Sequence, residues 1–322
     1  MSDSTAPLST RQVGFARFAV FSVVYNLLVI AWGAFVRATG SGAGCGDHWP
    51  MCNGEVVPRA PEIETIIELI HRVTSGGALI LAVVLVVGAV RAWPKGSAAR
   101  RWAWTTLAFM IVEALVGAAI VLLRMTGQDD SVGRAVVMGI HLVNTLLLLA
   151  SMVLVAWVAA GKPAPRLSSD RNAGVLLGVS LVGMLVLGAS GGITALGDTL
   201  FPAESLAEGL AQDLSPTAHF LVRLRIFHPI IAIVVGGFTI VVAMFTGLSR
   251  SDGVRRFALT LVGLIIGQVL VGGLNVILLA PVWMQLFHLL MADFVWITLV
   301  LLTASVLVPP SDGAGSGTLQ AV

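Results

Sequence analysis

Residues 65–90 read TIIELIHRVTSGGALILAVVLVVGAV. Apart from Glu68, His71 and Arg72 near its start, the stretch is apolar, small or hydroxylated. It is long enough to cross the hydrocarbon core of a bilayer, which takes about 20 such residues at 1.5 Å each. The apolar run is continuous rather than alternating, so it reads as a helix and not as a strand of a transmembrane barrel. Seven more runs of this kind lie at about 18–36, 102–123, 136–160, 173–195, 222–247, 257–279 and 283–308. The first follows Arg11 and Arg17, as a signal peptide would, but it is long for one and seven spans follow, so it reads as an uncleaved helix.

Composition agrees. Charged residues are 11% of the 322 and apolar residues 57%, where soluble chains carry about 25% charged; mean hydropathy is +0.94. A soluble protein of this size could not hide so much apolar surface. A net charge of +2 and the lack of a long basic cluster exclude disorder, coiled coil and nucleic-acid binding. The expected class is an all-α integral membrane protein with eight transmembrane helices and the lipid bilayer as its surroundings. Twelve Lys and Arg, from Arg11 and Arg17 to Arg255 and Arg256, flank one side of the spans, against Arg37, Arg59, Arg124 and Arg134 on the other. By the positive-inside rule both termini are cytoplasmic and the acidic 196–220 loop is outside.

The chain repeats itself. Ile70-His71-Arg72 in the second span answers to Phe227-His228-Pro229 in the sixth, and His141 in the fourth to His288 in the eighth. Between them Glu113-Ala-Leu-Val-Gly117 resembles Gln268-Val-Leu-Val-Gly272. Four spans per repeat make the two units parallel, related by an axis along the membrane normal. The expected organisation is a cytoplasmic N-terminus (1–17), an N-terminal four-helix bundle (18–160), a linker (161–172), a pseudo-symmetric second bundle (173–308) and a disordered, Gly- and Ser-rich cytoplasmic tail (309–322).

His71, His141, His228 and His288 each fall five or six residues into a span entering from outside, roughly 8–9 Å deep at 1.5 Å per residue. Intramembrane histidines are costly and mark function. A lone one reads best as a helix–helix hydrogen bond. Two symmetric pairs suit axial ligation of a haem iron in each bundle, whereas zinc would want more ligands than each half offers. Glu68 lies on the face of His71 one turn further out, while Arg225 holds that place before His228. The carboxylate suits proton transfer or stabilisation of positive charge at a reacting carbon, and Arg225 suits haem propionates. The plain alternative is that Glu68 only pairs with Arg72.

Cys45 and Cys52, with six residues between them in the first outer loop, are close enough for a disulfide, and the outer face is where one persists. Free thiols, or a partial metal site with Asp47 and His48, are the alternatives. Glu113 is expected to be protonated or hydrogen-bonded, with Gln268 in its place in the second half. Asp293 is expected to bond a neighbouring helix, and His48 and His219 to be solvated or interfacial. Gly76-Gly77 and Gly191-Gly192 are expected to let helices approach closely. Pro229 should free a carbonyl one turn earlier, near Arg225, and kink the helix.

Val36-Arg-Ala-Thr-Gly-Ser-Gly-Ala-Gly-Cys45, followed by His48-Trp-Pro-Met-Cys52-Asn-Gly-Glu, resembles the first outer loop of bacterial haem A synthases of the two-cysteine type. Glu68-Leu-Ile-His71-Arg72 is similar to that family's glutamate-and-histidine motif, and the other three histidines fall where the family has its own. The resemblance covers about residues 15–308. It implies a membrane-bound oxidoreductase of the bacterial plasma membrane that converts haem O to haem A for terminal oxidases. A porphyrin methyl is oxidised to formyl through successive hydroxylations and loss of water from a gem-diol. Carried over, His71 and His141 ligate the substrate haem, His228 and His288 hold a haem b that passes electrons, Glu68 is the catalytic carboxylate and Cys45–Cys52 the loop disulfide. The resemblance implies haem O as substrate; further partners to expect are the haem O synthase, which makes that apolar substrate, an electron donor or acceptor, and a second copy of the chain. A dihaem b-type electron carrier exchanging with quinones is the alternative. A transporter ranks last, because it expects broken helices at the midplane.

Overall fold

The structure is a computed structural model and describes residues 8–309. The expected tail from 309 and the first seven residues of the expected N-terminal segment lie outside the described residues, Pro309 excepted. The helices are α1 (Thr10–Ala38), α2 (Ile63–Ala92), α3 (Ala98–Leu122), α4 (Val132–Ala159), α5 (Arg171–Leu200), α6 (Leu206–Leu214), α7 (Phe220–Leu224), α8 (Phe227–Gly247), α9 (Asp252–Ile277) and α10 (Val282–Val306). With α7 and α8 taken as one span, 8 are long and apolar enough to cross a membrane. Among the described residues there is no β-strand, only an isolated bridge between Cys52 and Glu55. The protein is a multi-pass, all-helical membrane protein.

Polar residues outside the apolar runs set the helix starts. Ser9 and Gln12 form a capping box, so α1 begins at Thr10, well before the apolar run at 18. Ser97, Ser131 and Asp170 accept the N–H of Arg100, Arg134 and Ala173 and start α3, α4 and α5. The sixth span is interrupted between Leu224 and Phe227. Pro229 has no N–H to give the Arg225 carbonyl, which instead accepts the N–H of His228 at 3.3 Å. That break is where the sequence places the kink.

Helices α1, α2, α3 and α4 pack in a ring, each on the next and α4 back on α1; α5, α8, α9 and α10 close a second ring. The rings meet along α1 and α4 on one side and α5 and α10 on the other. Both apolar cores sit at the end that carries the chain termini. In the first ring the core joins Phe15 and Ala19 to Ala82, Ala89, Ala103, Met152 and Ala159. In the second it runs from Leu177 through Leu261 and Leu299 to Val306 and crosses to Leu146 and Leu149 of α4. Lipid is as apolar as leucine, so close van der Waals packing holds such helices together, and the fully buried alanines let the backbones approach. Across the rings the Trp296 indole N–H donates to the Leu146 carbonyl at 2.7 Å.

Candidate functional site

The opposite end of each ring carries the histidine pairs. The four histidines lie about six to nine residues past the first residue of their spans, or roughly 9–14 Å, deeper than the apolar runs suggested because the helices start earlier. Three rest on a glycine of the neighbouring helix. A Cβ on Gly33 would stand 2.8 Å from His71 Cε1, one on Gly191 3.0 Å from His228 Cε1, and one on Gly272 3.0 Å from His288 Cε1. Only glycine leaves room for an imidazole against the helix backbone at these places.

In the second ring the His228 and His288 imidazoles face each other, with ring centres 6.5 Å apart and planes at 83°. Two imidazoles on opposite sides of a metal, with bonds of about 2.0–2.1 Å, put their ring centres about 6.4 Å apart. The separation therefore fits an iron between them. Ser190 Oγ is 3.0 Å from His228 Nδ1, which leaves Nε2 as the free ring nitrogen. His288 has the Gln268 amide nitrogen 3.3 Å from Nε2 and a buried Nδ1 without a partner. In the first ring His71 Nδ1 is likewise buried and unpartnered. His141 Nδ1 lies 3.4 Å from Glu113 Oε1. Among the described residues no three His, Cys, Asp or Glu gather as a metal cluster; the donors come as histidine pairs. Orphaned ring nitrogens, glycine seats and the imidazole separation all fit haem.

Glu68 is 4% exposed. Its Oε1 accepts from Arg72 Nε at 3.1 Å and from Nη2, and its Oε2 accepts the backbone N–H of Cys45 at 2.8 Å. The pairing with Arg72 is thus present, and the carboxylate is also clamped to the outer loop. Arg72 Nη1 donates onward to the carbonyls of His48 (2.5 Å) and Met51 (2.7 Å). Both carbonyls lie inside the loop closed by the Cys45–Cys52 disulfide, whose cysteines are fully buried. Thr65 Oγ1 bonds the Gly44 carbonyl at 2.7 Å. A Cβ on Gly44 would lie 2.5 Å from the Glu64 backbone, so glycine is what lets the loop lie flat on α2.

Arg225, at the corresponding place in the second ring, has an 11% exposed side chain. It lies 3.4 Å from Asp198 and 3.7 Å from Asp213, and it donates to the Phe201 carbonyl at 2.8 Å. Burial pushes the Asp213 carboxyl above its ordinary value, against the pull of Arg225. His219 caps α7, stacks on Phe201 and approaches Asp130 at 3.4 Å; it is a tie between outer loops. The His48 side chain is exposed. Asp293 Oδ2 is buried and bonds to no neighbouring helix, which differs from the expected helix–helix bond.

In the sequence Arg37 reads only as a loop charge. It reaches from α1 into the second ring, donating to the Ala195 carbonyl (2.6 Å), Thr199 Oγ1 (2.7 Å) and Gln285 Oε1 (2.8 Å). Its partners are far along the chain, so only its place at the end of an apolar run hints at a role.

The family described as Cytochrome oxidase assembly protein, COX15-CtaA, matches residues 16–300. The chain is 49% identical over 293 residues to a Thermus thermophilus protein named Protoheme IX farnesyltransferase, an overlap of 91% of this chain and 48% of that one. It is 40% identical over 136 residues to Heme A synthase of Bacillus cereus, covering 42% of this chain and 41% of the relative. The chain spans about half the length, or less, of the curated relatives it matches. The resemblance carried by the outer loop and by Glu68-Leu-Ile-His71-Arg72 holds, and the chain belongs to the COX15-CtaA family of cytochrome oxidase assembly proteins.

Proposed function

We propose that the chain is a haem A synthase, oxidising a methyl group of haem O to the formyl group of haem A. The observation that carries this reading is the unequal furnishing of two similar histidine pairs. Beside His71 stands a buried carboxylate clamped to a disulfide loop; at the matching place beside His228 stands Arg225 among acids. One half is equipped for chemistry and the other for holding a charged, unreactive group.

His71 and His141 would hold the substrate haem, and His228 and His288 a haem b that passes electrons. The haems supply the iron-centred redox chemistry that imidazole and carboxylate lack. Glu68 is the catalytic carboxylate. A carboxylate has about four acceptor sites; two on Oε1 are taken by Arg72 and one on Oε2 by Cys45 N–H. The remaining site on Oε2 is free to take up a proton, or to stabilise positive charge, as the methyl group is oxidised. Arg72 and the disulfide loop hold that oxygen still and cover it from water. Arg225, held by Asp198, Asp213 and the Phe201 carbonyl, would meet haem propionates by exchanging those partners.

Both termini would lie in the cytoplasm of a bacterium, with the haem slots toward the outer leaflet of the plasma membrane; the excess of basic residues on one side of the spans supports this. A haem-farnesylating enzyme is the partner that supplies the substrate. Support comes from the Thermus relative, whose name is that of a farnesyltransferase and of which this chain matches 48%.

The test is expression in a host that makes haem O but no haem A, followed by extraction of the haems. Haem A is expected with the wild-type chain, and Glu68→Ala should abolish it while leaving haem b bound. Persistence of unaltered haem O alongside folded wild-type protein would overturn the reading in favour of an electron carrier.

A further inference from the structure

Glu113 is the polar group on which α3 and α4 converge. Its Oε2 accepts from Asn144 Nδ2 at 2.6 Å, its Oε1 accepts from Thr145 Oγ1, and Oε1 lies 3.4 Å from His141 Nδ1. Asn144 is fixed in turn by donating to the Phe109 carbonyl at 3.0 Å, and Thr145 Oγ1 also lies 2.9 Å from the His141 carbonyl, the two oxygens sharing its single proton. A carboxylate in the membrane is costly, and this one is held by two side chains beside an imidazole whose buried Nδ1 has no other partner. In the second ring the equivalent residue is the neutral Gln268. It too reaches its histidine, with its amide nitrogen 3.3 Å from His288 Nε2 and 3.0 Å from the His288 carbonyl, but its Oε1 is buried without a partner.

We infer that Glu113 is a positioning residue for the haem of the first ring: it holds His141 through Nδ1, turns Nε2 to the iron, and sets that haem at a lower reduction potential than its counterpart beside Gln268. The inference rests on the haem-binding reading above. A histidine ligand whose second nitrogen faces a carboxylate is fixed in one tautomer and made more basic. The stronger donor and the nearby negative charge both favour the ferric iron and lower its potential. A carboxamide supplies neither.

The experiment is a spectroelectrochemical titration of the purified full-length chain with both haems bound, assigning the second-ring component as the one lost in His228→Ala. Glu113→Gln should shift the first-ring component to more positive potential and leave the other in place. Glu113→Asp should keep the first-ring component nearer the wild-type value. Gln268→Glu should shift the second-ring component to more negative potential, and it decides the matter if Glu113→Gln fails to hold haem. Two bound haems whose potentials ignore both exchanges, or which move together in each variant, would overturn the inference and leave the proposed function standing. A folded wild-type chain that binds no haem would overturn both.

Discussion

Replacing Gly272 with alanine sets a methyl carbon 3.0 Å from His288 Cε1 and 3.7–3.8 Å from the two ring nitrogens. Carbon–carbon contacts are comfortable at about 3.5–4.0 Å, so the imidazole must retreat by about 0.5–1.0 Å or α9 must move by as much. Metal–ligand distances tolerate about 0.2 Å, and a displacement several times larger weakens the bond to iron. Disturbing the support of a ligating histidine costs about 10- to 100-fold in affinity, or about 1.4–2.7 kcal/mol. The control is the next residue: a Cβ on Gly273 meets nothing within 4 Å, and both changes gain the same helix propensity. The assay is titration of haem into the haem-free protein in detergent, with the absorption spectrum reporting six-coordination. Gly272→Ala should bind the second-ring haem weakly, and Gly273→Ala should match the wild type. Equal, undiminished binding by both variants would refute the seating of His288 on Gly272, and equal loss would point to general damage to α9.

At the first ring, Gly33→Ala intrudes further, 2.8 Å from His71 Cε1, and should remove the substrate haem while sparing the second-ring haem; joint loss in the haem inventory would contradict this. Arg72→Lys gives up the planar fork that joins Glu68 to the His48 and Met51 carbonyls. Amide exchange at Cys45 should quicken by about tenfold or more, and unchanged protection would count against the clamp. Arg37→Gln removes charged hydrogen bonds between the rings, each worth about 1.5–3 kcal/mol, and should lower the Tm in detergent; an unaltered Tm would deny Arg37 that role. The carboxyl of Asp170 is held below its ordinary 3.8, first by the Ala173 N–H and also by Arg250. Its charge therefore contributes stability in full above pH 3.8, and that contribution is lost as pH falls through the depressed value. Asp170→Asn keeps the cap and should be less stable at neutral pH, the gap closing in acid; a gap independent of pH would refute the assignment.

The spans were legible because bilayer thickness imposes one length on every apolar run, and the break before Phe227 because Pro229 removes one particular N–H. His71 and His228 could be matched through their neighbours on the chain. The Cys45–Cys52 pairing followed from spacing and side of the membrane. What escaped were relations between helices. Nothing local tells that Glu113 meets His141, or that Arg37 finds Ala195, Thr199 and Gln285. Glu68 was legible as a buried carboxylate next to Arg72, but its bond to Cys45 N–H depends on how the loop folds back over α2. The early start of α1 comes from Ser9 and Gln12, which hydropathy does not register. The short helix α6 (Leu206–Leu214) begins on a Ser205 cap within a loop that reads as polar.

The most direct test of the account is to purify the protein in detergent from cells that make haem O, extract its haems, and identify them by chromatography with mass spectrometry. The account predicts haem b together with haem O, haem A or a hydroxylated form between them, one haem for each histidine pair. Well-folded protein that yields no haem would contradict it outright.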